Sequence, residues 1–319
     1  MRDVRGQREA RAAVELAAAG GHHVAMVGPP GIGKTLLAER IPGILPPLGD
    51  DAALEVSAVH SVAGRLGAGQ LVRTPPFVAP HHTATYAAMV GGGSLVANVG
   101  QISLAHHGVL FLDEAPHFDS STLEALRQPL ESGRVTISRA AYTVHYPARF
   151  QLVMAMNPCP CGKDDGTTLG GSRCVCTSLQ RRRYLSKVSG PLLDRVNIRV
   201  TLGRPSVADL AAPPPEGTAE VAARVLEARA RAARRYAGTR WTVNGHLPGP
   251  ELRRRYPLVA DAAAPIERAV ARGSLSARGA DRVARVAWTV ADLAGHERPT
   301  LDDVGTALAF REPGHEAAA

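Results

Sequence analysis

Apolar residues along the chain follow two regimes. Up to about residue 200, short apolar runs alternate with stretches whose apolar positions recur at helical spacing. The runs are Val24-Ala25-Met26-Val27, Val109-Leu110-Phe111-Leu112 and Phe150-Gln151-Leu152-Val153-Met154-Ala155-Met156. They lack polar alternation, which is the pattern of parallel strands covered on both faces. Val4 to Ala19 predicts a helix, with Val14, Leu16 and Ala17 at helical spacing and Gly20-Gly21 to stop it. Strands of this kind alternating with helices predict an α/β fold built on a parallel sheet flanked by helices.

Beyond Arg204 the runs disappear. Arg204 to Gly217 is rich in proline and small residues, including Pro213, Pro214 and Pro215, and is expected to be a linker. Glu220 to Ala237 predicts a long helix, with Val221, Val225 and Ala228 on one side and Arg224, Arg231 and Arg235 on another. Further helices are expected over Glu251 to Arg272, Ala277 to Ala294 and Leu301 to Phe310, with a frayed tail from Pro313. The expected organisation is an α/β domain over 1–203, a linker and long helix over 204–245, and a helical domain over 246–319. One segment departs from both regimes. Glu131 to Arg139 and Tyr142 to Tyr146 alternate polar and apolar residues about Ala140-Ala141, which predicts an exposed β-hairpin.

Length and composition narrow the class. The 319 residues suggest about two domains with a core that needs no disulfide staples. Hydrophobic residues make up 45% and charged residues 21%, which excludes a mostly disordered chain. The net charge of +8 comes from 37 cations, of which only Lys34, Lys163 and Lys187 are lysines. Aromatics at 4% argue against binding nucleic acid by stacking bases on aromatic platforms. There is no stretch of 18 apolar residues and no signal peptide at the N-terminus, so the expectation is a cytoplasmic protein without a membrane segment.

Gly28-Pro29-Pro30-Gly31-Ile32-Gly33-Lys34-Thr35 fits G-x-x-x-x-G-K-[ST] between an apolar strand and the apolar helical run that begins at Leu36. Glycines let a backbone wrap phosphates, its N–H groups point inward, and the following helix N-terminus adds positive potential. Lys34 is suited to the β- and γ-phosphates and Thr35 to Mg²⁺. The run Val109 to Leu112 ends in Asp113-Glu114, which places Asp113 beside the phosphate loop to orient Mg²⁺. Glu114 is suited to polarise an attacking water. Met154-Ala155-Met156 ends in Asn157, a polar amide that can reach the γ-phosphate or the water.

All four cysteines fall between residues 159 and 176, as Cys159-x-Cys161 and Cys174-x-Cys176. Four thiolates satisfy tetrahedral Zn²⁺, and a bound ion would order the glycine-rich segment between the pairs. Free thiols or redox disulfides are the alternative. Arg181-Arg182-Arg183 follows, either as a solvated run or as a contact for DNA or an acidic face of another subunit. The adjacent His81 and His82 are expected to point in divergent directions and to serve packing or a loop.

These motifs together resemble the AAA+ ATPases, and more narrowly the magnesium-chelatase-like branch and its ComM/YifB group. The likeness extends through Ala17-Ala18-Ala19-Gly20-Gly21-His22, Ile41-Pro42-Gly43-Ile44-Leu45-Pro46-Pro47-Leu48, His60-Ser61-Val62-Ala63-Gly64, Ala79-Pro80-His81-His82-Thr83 and Val90-Gly91-Gly92-Gly93. It continues through Leu123 to Glu131, Met156-Asn157-Pro158-Cys159-Pro160-Cys161-Gly162 and Ser189 to Arg195. Members of the group carry a further N-terminal domain similar to part of a Lon-type fold, whereas this sequence starts at the ATPase core. No role of that domain is carried over.

The resemblance implies an ATP-hydrolysing ring, expected to be a homohexamer, in which each subunit completes its neighbour's site. Arg195 matches the arginine finger, with a structural ion pair as the alternative. Arg278 matches the sensor arginine of a C-terminal helical lid, with Arg282, one turn on, as the alternative. The hairpin and the loop near Gly91-Gly92-Gly93 would line the ring's channel, making Arg134 and Arg139 candidates for DNA phosphates, or simply solvated arginines. Resemblance to ComM implies branch migration or translocation on single-stranded or branched DNA during natural transformation and recombination. A magnesium chelatase ATPase subunit for tetrapyrroles and a protein-remodelling ring are the alternatives.

Overall fold

The computed structural model of the chain describes residues 1–92, 98–138, 143–164 and 174–311. In chain order the elements begin with α1 (Arg8–Gly20), β1 (Val24–Val27), α2 (Lys34–Ile44), α3 (Asp50–Val62), β2 (Phe77–Val78) and α4 (Tyr86–Val90). There follow β3 (Gly91–Gly92), β4 (Asn98–Val99), α5 (Gln101–Leu104), β5 (Val109–Leu112), α6 (Ser120–Glu124) and α7 (Arg127–Ser132). Next come β6 (Arg134–Ser138), β7 (Thr143–Pro147), β8 (Gln151–Met156), α8 (Ser178–Leu185), α9 (Gly190–Leu193) and β9 (Ile198–Thr201). Six helices complete the chain: α10 (Val207–Ala211), α11 (Thr218–Arg235), α12 (Gly249–Arg255), α13 (Ala260–Ala271), α14 (Ala277–Ala294) and α15 (Leu301–Ala309).

The principal sheet is five-stranded and parallel, in the order β2-β5-β8-β1-β9, flanked by helices and followed by a helical C-terminal region. The expected α/β class is therefore the observed one. Every residue of β5 and β8 is buried, which accounts for sequences that are apolar throughout apart from Gln151. Their register, Val109↔Gln151 through Leu112↔Met154, brings the carboxyl ends of both strands to one edge. Asp113 and Asn157 leave from that edge. The chain divides into two compact units, Met26–Pro42 with Pro46–Arg195, and Met1–Ala25 with Gly43–Leu45 and Val196–Ala319.

In the first of these units Phe77 stacks on Phe111 at 5.9 Å. The Val109 N–H donates to the Pro76 carbonyl at 2.8 Å, and a side chain at Gly108 would collide with that carbonyl. Three ligand-type side chains, Glu55, His106 and His107, meet here. His106 Nδ1 accepts from the Arg149 N–H at 3.0 Å, so its Nε2 carries the proton and donates to Glu55 at 2.8 Å. That tautomer has no lone pair left for a metal, and burial pushes His106 down to about 4. The trio is a structural tie.

In the second unit the arginines of α11 are not a solvated stripe. Arg224 grips Glu15 and Glu216, each at 2.7 Å. Arg229 donates through Nε and Nη2 to the Ala18 carbonyl near the end of α1, at 2.8 and 2.7 Å, and burial brings its pKa down to about 10. Arg235 pairs with Asp292 of α14, which also accepts from Asn244 at 2.8 Å. The Asn244 amide donates to Thr289 at 2.9 Å, and Thr289 lies 2.7 Å from His22 Nε2. A buried charge that loses its partner costs about 3–5 kcal/mol, so this network fixes α1, α11 and α14 together.

Two sequence readings change. The helix expected over Glu251 to Arg272 breaks into α12 and α13, because Pro257 excludes helical backbone at Tyr256, whose φ is −133°. Trp288 Nε1 donates to the freed Tyr256 carbonyl at 3.1 Å. The expected linker contains α10, started by a reciprocal cap between Ser206 and Asp209. The expected hairpin is β6 paired antiparallel with β7.

Candidate functional site

Gly31 and Gly33 take φ of 74° and 97°, a conformation that side-chained residues rarely adopt. No atom lies within 4 Å of a Cβ built at either position. Conformation, not space, is what calls for glycine here. The loop returns to the sheet through the Gly28 N–H, which donates to the Met156 carbonyl at 3.0 Å.

The loop delivers Lys34 to a buried position, 7% exposed. Its ammonium donates to the carbonyls of Gly28 at 2.6 Å and Pro29 at 2.8 Å, and to Asn157 Oδ1 at 3.1 Å. Burial lowers its pKa, opposed by the carboxylates of Asp113 and Glu114. Thr35 donates its hydroxyl to Asp113 Oδ2 at 2.7 Å. One unit thus brings together Lys34, Thr35, Asp113 and Asn157 from three separate stretches of chain. A hydroxyl and a carboxylate in contact, beside an ammonium and a helix N-terminus, are a donor set that fits a Mg²⁺-bound triphosphate. Pro29, Pro30, Ile32 and Leu36 complete the loop and the first turn of α2 around these groups.

Glu114 holds a left-handed backbone, φ 49° and ψ 45°, at a cost of about 1–2 kcal/mol. Its N–H donates to Asp113 Oδ1 at 2.9 Å, and its side chain is 45% exposed. His117 Nδ1 lies 3.5 Å and His82 Nδ1 3.9 Å from its carboxylate. The sequence reading of His81 and His82 is corrected here. Their rings face each other with centroids 4.1 Å apart, and His82 is turned to Glu114. His82 comes from a loop, and no spacing in the sequence links it to Glu114, whereas His117 ends the 3-10 turn Ala115–His117 and meets Glu114 at i,i+3 spacing. Tyr184 packs edge-on against His117 at 5.6 Å, its pKa pushed up to about 12 by burial and by Glu114.

The cysteines gather at the same edge of the sheet. All four sulfurs lie within 4.8 Å of one another. Cys159 to Cys161 is 3.3 Å, and Cys161 to Cys174 and Cys174 to Cys159 are both 3.5 Å. Sulfurs around tetrahedral zinc stand roughly 3.8 Å apart, given Zn–S of about 2.3 Å. A disulfide would need about 2.05 Å, and all four thiols are free. The donor set fits zinc. The Lys163 N–H donates to Cys161, the leading cause of its fall to about 6. Arg181 ties the cluster down, 2.7 Å from Asp164 and 3.6 Å from the Cys174 sulfur. A side chain at Gly162 would come within 2.8 Å of Pro30, so the cysteine loop abuts the phosphate loop.

Arg195 lies at the end of α9, pairs with Glu131 and donates to the Pro191 carbonyl. Arg278 is exposed in the first turn of α14, which Ser276 caps by accepting from the Gly279 N–H at 3.1 Å. Arg134 is exposed at the base of the hairpin, opposite Pro147 and at the end away from the turn. Arg139 lies outside the described residues. Among the described residues no helix is long and apolar enough to cross a membrane.

Comparison with known proteins fits this architecture. The profile of magnesium chelatase, subunit ChlI, matches residues 1–210, and that of its C-terminal part matches residues 215–311. An uncharacterised protein of Mycobacterium tuberculosis is 50% identical over 98% of the chain. The uncharacterised protein YifB of Escherichia coli and the competence protein ComM of Haemophilus influenzae are each 41% identical over 97% of it. The chain spans 61%, 60% and 59% of the length of these three relatives, respectively.

Proposed function

The chain belongs to the magnesium chelatase subunit ChlI family of AAA+ proteins, and on that premise we propose that it is the ATP-hydrolysing core of a ComM/YifB-type ring motor that acts on DNA. The observation that carries the ATPase reading is the Thr35–Asp113 contact beside the buried Lys34 ammonium, with Glu114 next in the chain. The backbone N–H groups of Gly28 to Thr35 hold the β- and γ-phosphates, and Lys34 leaves its carbonyl partners to neutralise them. Thr35 and Asp113 would hold Mg²⁺, which would supply positive charge against the charge that develops on the phosphates. Glu114 takes a proton from water as the water oxygen bonds to the γ-phosphorus and the bond to the β-γ bridging oxygen breaks. Asn157 orients that water or the γ-phosphate. Arg195 of one subunit serves the site of the next, and Arg278 acts as the sensor of the helical lid.

The DNA reading is supported by the competence protein among the relatives and by the basic balance of the chain, +8. Arg134 and Arg139 contact backbone phosphates within a ring, expected to be hexameric and cytoplasmic. With few aromatics, binding rests on charge, weakly dependent on sequence and strongly on salt. ATP turnover by the assembled protein is expected to rise several-fold with single-stranded or forked DNA at low salt and to lose that rise as salt increases. Turnover indifferent to DNA in a confirmed oligomer overturns the DNA reading and leaves the ATPase. It would then favour the chelatase-subunit or protein-remodelling alternative.

Cys159, Cys161, Cys174 and Cys176 hold a structural Zn²⁺ that orders the loop against Pro30. Protein purified without chelator is expected to contain about one zinc per chain by elemental analysis. A content well below that overturns the site.

A further inference from the structure

In the unit that holds α11 and α14, the last turns of α11 and α14, the break at Tyr256-Pro257 and the residues after α14 line an open cavity of about 420 Å³. That size suits a small ligand, for which cavities of about 300–1,000 Å³ are usual. Five guanidiniums line it, those of Arg231, Arg234, Arg235, Arg255 and Arg298, together with His296. The lining carboxylates are Asp292 and Glu297, so five positive charges face two negative ones, an excess of three.

One of those carboxylates is already committed. Asp292, buried at 1% exposure, is paired with Arg235. Arg235 is held over the Trp288 ring at 4.2 Å, so this pair forms a rigid, neutral wall. Arg231 donates to the Asp292 carbonyl and lies 4.0 Å from Glu227, and Arg255 lies 3.1 Å from Glu251. Among the described residues neither Arg234 nor Arg298 has a carboxylate partner, and both are exposed. Concentrating unpaired guanidiniums in a concavity costs self-repulsion, and their planar forks match phosphate oxygens two at a time.

We propose that this cavity binds adjacent phosphate groups of an anionic ligand, as a second phosphate site in a different unit from the glycine loop. The site stands whether or not the motor acts on DNA. The same chemistry is offered by a free polyphosphate, such as a nucleotide, and by the phosphodiester backbone of a nucleic acid.

The test uses the full chain with Lys34→Ala, which silences the glycine loop, titrated with inorganic tripolyphosphate by calorimetry at low salt. One tripolyphosphate per chain is expected, with affinity falling about tenfold or more when Arg234→Ala and Arg298→Ala are added. Both side chains are exposed and removing them relieves like-charge repulsion, so the thermal unfolding midpoint should not fall. Absence of binding to the Lys34→Ala chain, or binding undiminished by the two arginine changes, overturns the proposal. A second arm titrates a single-stranded oligonucleotide. Loss there as well assigns the phosphodiester source, and loss confined to tripolyphosphate assigns the free polyphosphate. If the arginine changes instead lower the mass of the ATP-bound assembly, in the chain with Lys34 intact, while anion binding is unchanged, the arginines serve a contact between copies and the proposal fails.

Discussion

Glu114→Gln is expected to leave ATP binding unchanged and to slow turnover by about 10²–10⁴-fold, the usual contribution of a positioned general base. Glutamine keeps the size of the side chain and gains nothing in the left-handed backbone that Glu114 already occupies. What it lacks is basicity, so the proton of the attacking water has nowhere to go. Lys34, Thr35 and Asp113 remain in place, and their contacts do not pass through the Glu114 side chain. Nucleotide therefore accumulates unhydrolysed, and the assembled oligomer should outlast that of the natural sequence. Binding of a fluorescent nucleotide, phosphate release and particle mass by light scattering read the three effects separately. Turnover within about threefold of the natural chain would remove Glu114 from the role of base.

Arg195→Ala is expected to lower hydrolysis by about 10³-fold or more, the scale of an arginine finger, while each chain still binds ATP. The residue pairs with Glu131 within its own chain. That pair is partly exposed and contributes at most about 1 kcal/mol, so its loss leaves the fold intact. Mixing separates a finger from a structural ion pair. A Lys34→Ala chain cannot hydrolyse but still offers its arginine to a neighbour, whereas an Arg195→Ala chain offers an intact glycine loop. Mixed rings should regain turnover that neither parent has. Normal turnover by the Arg195→Ala chain alone, or mixed rings with none, would return Arg195 to the ion pair with Glu131.

The nucleotide site was legible early because its signals are local. The glycine loop, the helix that follows it and the strand ending in Asp113-Glu114 each announce themselves within about eight residues. The loop's backbone conformation depends on Gly31 and Gly33 themselves, and strands as buried as β5 and β8 cannot hide their composition. The environment of Glu114 was not legible. His82 reaches it from a loop 32 residues away, by a contact that no periodicity encodes, and His117 reaches it only because Ala115–His117 forms a 3-10 turn. Divergence of two adjacent histidines is the expectation for an extended strand, but in this loop their tilted rings lie with centroids 4.1 Å apart.

The charge shows the same division. From the sequence, +8 leaves the partner of the positive charge open, and Arg224, Arg231 and Arg235 are only placed on one side of a long helix. In the fold Arg224, Arg229 and Arg235 are consumed by Glu15, by the end of α1 and by Asp292, and they act as internal ties. Among the described arginines that line the cavity, Arg234 and Arg298 have no carboxylate partner, and they are far apart in sequence and come together only in the fold.

By itself, then, the sequence determined the α/β class, the glycine loop, the adjacent carboxylates Asp113-Glu114 at a strand end and the clustering of the cysteines. Each of these is set by neighbours along the chain, through backbone conformation, burial of whole strands or short-range spacing. Only the tertiary structure decided which arginines are spent, what surrounds Glu114, that the cysteine loop presses on Pro30, and where positive charge remains. Those outcomes depend on residues brought together from distant stretches of chain, where burial and Coulomb energy act through distances that the order of residues does not record.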